Sequence, residues 1–171
     1  MAPKISIAPL AAEDVEALCS VAHEIWRAHY PPIIGEAQTE YMLAQRYEPA
    51  IILAELGRED IFWDVLRMDG AIAAFASSMM ENTGELKLDK LYVHPSRQRS
   101  GLGGLLLDHT SERARALGLT AVTLAVNKHN HGAIAAYRKH GFEIRDAVVK
   151  DIGGGFIMDD YIMVRACGAP A

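Results

Sequence analysis

The chain has 171 residues, half of them hydrophobic, which is enough to bury a core and lies within the usual span of one domain. Its formal net charge of −5 argues against a general nucleic-acid binder, which would carry a basic balance or a long basic stripe. Cys19 and Cys167 form no CxxC pair or disulfide framework, the N-terminus MAPKISIAPL lacks a basic segment leading into an apolar run, and no stretch nears ~20 uninterrupted apolar residues; a cytoplasmic location is expected, with no membrane partner.

Val15, Leu18, Ala22, Ile25, Trp26 and His29 recur at spacings of three and four, predicting one face of a helix that begins near Glu13 and is stopped by Pro31 and Pro32. A second helical stretch is expected around Gln38 to Tyr47, and Pro49 opens a short third one that ends before Gly57. Ile61 to Met68 and Ala71 to Met80 read as strands joined by Asp69-Gly70, both of which tolerate positive φ. After a turn at Asn82 to Gly84, Leu86, Leu88, Leu91 and Val93 mark a strand stopped at His94-Pro95, completing a meander.

Gly103 to Leu117 then reads as helix, closed by Gly118, and Ala121 to Val126 as strand. Asn130 is expected to cap a helix that ends near His140 at Gly141. The last strands, Phe142 to Val149 and Phe156 to Arg165, should pair across a loop at Asp151 to Gly155, and the tail from Cys167 should fray. The fold class is α+β: a central mixed, twisted sheet of about six or seven strands flanked by helices. Residues 1–171 are expected to form one domain, with helices in 1–57 and the sheet in 61–165.

The strongest chemical signal lies in the segment Leu91 to Gly104, LYVHPSRQRSGLGG. Strand, glycine turn and helix start follow in succession, so backbone N–H groups converge, the helix dipole adds partial positive charge, and glycines admit a diphosphate close to the backbone. A Walker loop is absent. The dinucleotide fingerprint fails because Leu106 occupies its third glycine position and the preceding strands form a meander. A metal centre has little support, since His129 and His131 span a helix start without a familiar ligand set. Lys87, Lys90, Arg97 and Arg99 form a basic cluster, either a solvated face or a seat for a phosphate.

Gln98, Gly101 and Gly103 satisfy the Q/R-x-x-G-x-G/A pattern, and Asn127 to Phe142 satisfies N-x-x-N-x-x-A-x-x-x-Y-x-x-x-G-F. In these two motifs the chain resembles the GNAT superfamily of N-acetyltransferases. The resemblance covers roughly Ala71 to Met163; the first sixty residues match only in outline, and it implies that 1–57 are acceptor-side helices and that 61–165 hold the sheet and the acetyl-CoA-binding core. It implies acetyl-CoA as cosubstrate without a metal, held by Leu91, Tyr92, Val93, Gln98, Arg99, Ser100, Gly101, Leu102, Gly103, Gly104, Asn130 and Lys139. The pantetheine arm would pair with the strand ending at Val93, where a backbone N–H near Leu91 to Val93 would stabilise the oxyanion.

By the same resemblance Tyr137 is the general acid, a phenol of pKa about 10 protonating a thiolate whose thiol lies near 8.5. Seven residues separate it from Asn130, which places both on one helical face. A base must deprotonate the amine; Glu81, Glu85 and Asp89 are candidates, with Asp89 preferred. Either Asp159 or Asp160 would help hold a cationic amine, since alternation sends them to opposite sides.

His29-Tyr30-Pro31-Pro32 and Gly154 to Tyr161 further resemble the PaiA-type group of small bacterial polyamine acetyltransferases. A polyamine, a peptide N-terminus, a lysine side chain or an amino-sugar drug all fit as acceptor. The rival from another class is a non-catalytic acyl-CoA sensor. The family and the strand-rich C-terminus also suggest a homodimer.

Overall fold

The computed structural model describes residues 1–168. Among them the strands form one seven-stranded sheet in the order β1-β2-β3-β4-β5-β7-β6. The chain divides into two units: Met1–Ser77 with Lys90–Leu106, and Ser78–Asp89 with the chain from Leu107 onward. Among the described residues no helix is long and apolar enough to cross a membrane.

In the first unit, β1 (Ile5–Pro9) is a strand that the sequence pattern did not announce. It is short and almost wholly exposed, so it carries no burial alternation; its place comes from an antiparallel ladder with β2 (Ile61–Met68). Helix α1 (Val15–His29) buries Val15, Leu18, Cys19, Ala22, Ile25 and Trp26, but His29 is exposed, because the face has drifted past it by the last turn. Pro31 and Pro32 do end α1 and also open a single turn, α2 (Pro31–Ile34). Helices α3 (Glu36–Arg46) and α4 (Pro49–Leu56) follow.

Strands β2 and β3 (Ala71–Met80) have the expected bounds, since Asp69 and Gly70 take φ of 51° and 87° and close a two-residue turn. The turn is also tied to β1: Lys4 N–H donates to Asp69 Oδ1 at 2.9 Å, and Asp69 N–H to the Lys4 carbonyl at 2.8 Å. The core of this unit is aromatic. Phe75 has no exposed surface, and its ring lies 6.0 Å from Tyr47, 6.1 Å from Trp63 and 5.7 Å from Tyr92.

In the second unit, β4 (Leu86–Val93) and β5 (Ala121–Asn127) pair in parallel over only three positions, Leu86 to Leu88 with Val122 to Leu124. β5 then pairs antiparallel with β7 (Phe156–Ala166) over seven. The loop expected at Asp151 to Gly155 is shorter than the sequence suggested: β6 (Glu143–Gly153) runs on to Gly153 and β7 resumes at Phe156, leaving a two-residue glycine turn. Cys167, expected to fray, is buried at 6% exposure; its N–H donates to the Thr120 carbonyl, and its carbonyl accepts from Arg115 Nε at 2.7 Å.

Truncating Phe75 to alanine removes the ring that touches three others, and should cost about 3–5 kcal/mol. Urea unfolding followed by tryptophan fluorescence checks this, and a loss below about 1 kcal/mol would contradict the packing described.

Candidate functional site

The segment singled out for anion binding lies wholly in the first unit. β4 ends at Val93, a 3₁₀ turn covers Pro95–Arg97, and α5 (Leu102–Ala116) begins directly after Gly101. Gly101 has φ of 82°, with open space where a Cβ would project. Arg99 also has positive φ, 61°, an unusual conformation for a non-glycine residue and one characteristic of backbone nests that bind anions. Leu105 N–H makes the first helical bond to the Gly101 carbonyl, so N–H groups at the helix start are left without an intrahelical acceptor. Gly103 lies against the strand it follows: a Cβ there would sit 3.8 Å from Val93 and 3.9 Å from Leu91. Residues 95 to 101 are exposed, while Gln98 Nε2 reaches back to the Val93 carbonyl at 3.5 Å and Ser100 Oγ donates to the Arg97 carbonyl. The turn therefore offers helix-start N–H groups without intrahelical acceptors and two arginines, Arg97 and Arg99, with no carboxylate inside it, a donor set that fits a diphosphate.

Alternation along β4 separates two chemistries. Leu91 and Val93 face α5; Lys90 and Tyr92 face the aromatic core. Lys90 is therefore not part of the surface basic cluster: it is buried at 4% exposure, with Nζ 5.1 Å from the Trp63 ring centre and 5.9 Å from that of Tyr47. Aromatic faces compensate a cation drawn from water. Tyr92 meets Tyr30, from the end of α1, through hydroxyls 3.0 Å apart, and burial, followed by these neighbouring phenols, holds Tyr92 well above the ordinary tyrosine range.

His94 joins the same end of β4 to α1. Ser96 N–H donates to its Nδ1 at 3.2 Å, which leaves Nε2 to donate to Glu24, 3.1 Å away. The sequence used His94 only as a strand stop, and no spacing signal marks its pairing with a residue seventy positions earlier. Beside it, a groove of about 580 Å³ is lined by carboxylates Glu16, Glu24 and Glu48 together with Cys19 and His23. Arg27, also on its wall, is held by Glu40 at 2.7 and 2.9 Å, which raises the guanidinium and lowers the carboxyl pKa. Burial, and then Glu48 and Glu16, push the Cys19 thiol up to about 11.

The other expected residues lie in the second unit. Helix α6 (His131–Lys139) carries Tyr137, half-buried, its ring edge-on to Phe142 at 5.8 Å, and the exposed Lys139. Asn130 stands at the N-cap position but makes no side-chain capping bond, contrary to expectation; it is buried at 6% exposure, and its carbonyl receives Ile134 N–H. Of the carboxylates, Glu85 is gripped by Arg145 at 2.6 and 3.2 Å, whereas Asp89 has Lys87 Nζ at 3.9 Å. Asp159 pairs with Lys128 at 2.5 Å, and Asp160 is buried. Among the described residues no group of three or more His, Cys, Asp or Glu is arranged to hold a metal.

Residues 19–142 match the acetyltransferase (GNAT) family. The chain belongs to the GNAT acetyltransferase family. It is 30% identical over 162 residues to the spermidine N(1)-acetyltransferase of Thermoplasma acidophilum, covering 91% of this chain and 96% of that protein. The crystal structure of the PaiA N-acetyltransferase from the same organism, in complex with coenzyme A, matches with a TM-score of 0.83 at 26% identity, covering 95% of this chain and 99% of that one. The ribosomal protein bS18-alanine N-acetyltransferase of Escherichia coli is 36% identical over 77 residues, 45% of this chain and 51% of that protein.

In this GNAT acetyltransferase Cys19 should behave as a buried, protonated thiol. At pH 8 a thiol with pKa about 11 is ionised to ~0.1%, so iodoacetamide should label Cys19 at least about fifty-fold more slowly in the folded protein than in guanidinium. Equal rates would contradict its enclosure.

Proposed function

We propose that this enzyme transfers the acetyl group of acetyl-CoA to a primary amine of a small polyamine of the spermidine class, by direct attack in a ternary complex. The observation that carries this reading is the 30% identity to a spermidine acetyltransferase, which runs through nearly the whole of both chains, including the acceptor-side helices. The match to the bS18-alanine enzyme covers less than half of this chain, so it gives no comparable support to a peptide acceptor. Charge agrees: a net −5 and three carboxylates on one groove attract a polycation.

In this reading the diphosphate lies on the N–H groups of residues 98 to 104, with Arg99 beside them, and the pantetheine arm hydrogen-bonds along the stretch of β4 beyond its three-residue ladder with β5. A β4 N–H between Leu91 and Val93 stabilises the oxyanion. The amine nitrogen forms its bond to the thioester carbonyl carbon, the carbon–sulfur bond breaks, and Tyr137 protonates the departing thiolate. The amine's own proton passes to Asp89 through water. Asp89 is favoured over Glu85 because Arg145 already occupies both oxygens of Glu85. Asn130 holds the pantetheine amide, and Lys139, at the end of the same helix, contributes positive charge for the cosubstrate's phosphates. No covalent enzyme intermediate forms: the thiols of both Cys19 and Cys167 are raised by burial and are poor nucleophiles. Two free cysteines suit a reducing cytoplasm.

Thiol release from acetyl-CoA across spermidine, spermine, putrescine, an aminoglycoside and an alanine-terminated peptide tests the acceptor. Spermidine or spermine should give the highest kcat/KM, by about tenfold or more over the peptide. Preference for the peptide would overturn the polyamine reading, and coenzyme A binding without acceptor-dependent turnover would favour a sensor. Tyr137→Phe should lower kcat by roughly a hundredfold or more while coenzyme A still binds; an unchanged kcat would remove Tyr137 from its role.

A further inference from the structure

Residues 95 to 101, the approach to the glycine turn, are exposed, so burial does not hold their shape. Hydrogen bonds must do so. They run in a chain that begins at His94: Ser96 N–H donates to His94 Nδ1 at 3.2 Å, Arg97 N–H to the His94 carbonyl at 2.8 Å, and Ser100 Oγ to the Arg97 carbonyl, one residue before Gly101. Pro95 has no N–H, which makes the Ser96 N–H the first donor of the 3₁₀ turn, and His94, with φ of −55° and ψ of 137°, has the non-helical backbone of a capping residue.

His94 itself is fixed from two other elements. Its N–H donates to the Ala73 carbonyl of β3 at 2.8 Å, and its Nε2 lies 3.1 Å from Glu24 Oε1 on α1. The second contact decides which nitrogen carries the ring proton. A carboxylate only accepts, so Nε2 holds the proton, and in the neutral ring that leaves Nδ1 bare. A bare Nδ1 is what the Ser96 N–H requires, and Ser96 Oγ, 2.7 Å from the same nitrogen, donates to it as well. The Glu24 side chain is 64% exposed, so its attraction for the ring counts for little; its effect is on the tautomer.

We propose that His94 is a positioning residue for the cosubstrate: Glu24 holds the proton on Nε2, Nδ1 caps the turn at Ser96, and the capped turn presents Arg99 and Gly101 in the conformation that receives the diphosphate. This rests on the diphosphate seat proposed above for residues 98 to 104. His94 has no part in the chemical step, so its loss weakens acetyl-CoA equally in the ground and transition states, raising KM and sparing kcat.

Calorimetric titration with coenzyme A, and acetyl-CoA kinetics with the best amine of the acceptor screen, test this on variants with native circular dichroism. His94→Ala should weaken coenzyme A and raise KM for acetyl-CoA by roughly tenfold, with kcat within about twofold. His94→Asn, whose Oδ1 stands as many bonds from the backbone as Nδ1, should recover affinity to within about threefold of the wild type. Glu24→Gln keeps an acceptor for Nε2 and should also stay within about threefold. Glu24→Lys offers Nε2 only donors, moves the ring proton to Nδ1 and should weaken coenzyme A about fivefold, although its positive charge alone would favour an anion. Unchanged affinity in His94→Ala, a loss of kcat at unchanged KM, His94→Asn no better than His94→Ala, or tighter binding by Glu24→Lys would each overturn the proposal. Gly101→Ala separates it from the seat it rests on. If Gly101→Ala leaves coenzyme A affinity unchanged, the seat is wrong and both readings fall; if Gly101→Ala weakens binding and His94→Ala does not, the seat stands and the role of His94 alone falls.

Discussion

The handover from β4 to α5 is the constraint on which the rest of the candidate site depends. A strand must stop, turn and start a helix so closely that the helix lies back against the strand it has just left. Gly101 supplies the positive φ, Arg99 shares it, and Gly103 lets the helix rest on Leu91 and Val93. The outcome is a row of N–H groups at the end of a helix dipole, beside a stretch of β4 backbone past its parallel ladder. None of this needs an unusual side chain. It needs a backbone shape, which is why a motif of glycines carries more information than its chemistry suggests.

The opposite face of β4 fixes that shape in place. Lys90 and Tyr92 project among rings contributed by α1, β2 and β3, and His94 links the strand end to Glu24. Tyr30, one residue before the proline pair, meets Tyr92 hydroxyl to hydroxyl, so the corner between the first helices is tied to the strand from which the turn departs. The helices expected on the acceptor side and the strand expected on the cosubstrate side thus share hydrogen bonds within one unit.

Legibility in the sequence followed the range of the interactions. Asp69-Gly70 fixed both flanking strands to the residue, and Pro49 with Gly57 did so for a helix, because those signals act over two or three positions. β1 escaped because a five-residue strand with no buried side chain leaves no burial alternation to read, and its partner lies some sixty positions away. Lys90 was misread as surface charge because only tertiary packing brings Trp63 and Tyr47 to its ammonium. Cys167 was assigned to a fraying tail for the same reason: Thr120 and Arg115 hold it from a distance. Asn130 occupies the expected cap position, yet its side chain makes no capping bond. At the turn, the pattern of Gln98, Gly101 and Gly103 located the backbone feature, while the left-handed Arg99 had no signal of its own.

The most direct measurement of the central claim is calorimetric titration of the protein with coenzyme A and, separately, with pantetheine, which lacks the diphosphate. If the turn from Gln98 to Gly104 seats that group, coenzyme A should bind at least about a hundredfold more tightly than pantetheine, and Gly101→Ala should erase most of the difference. Equal affinity for the two ligands, or no binding of coenzyme A to the folded protein, would contradict the account.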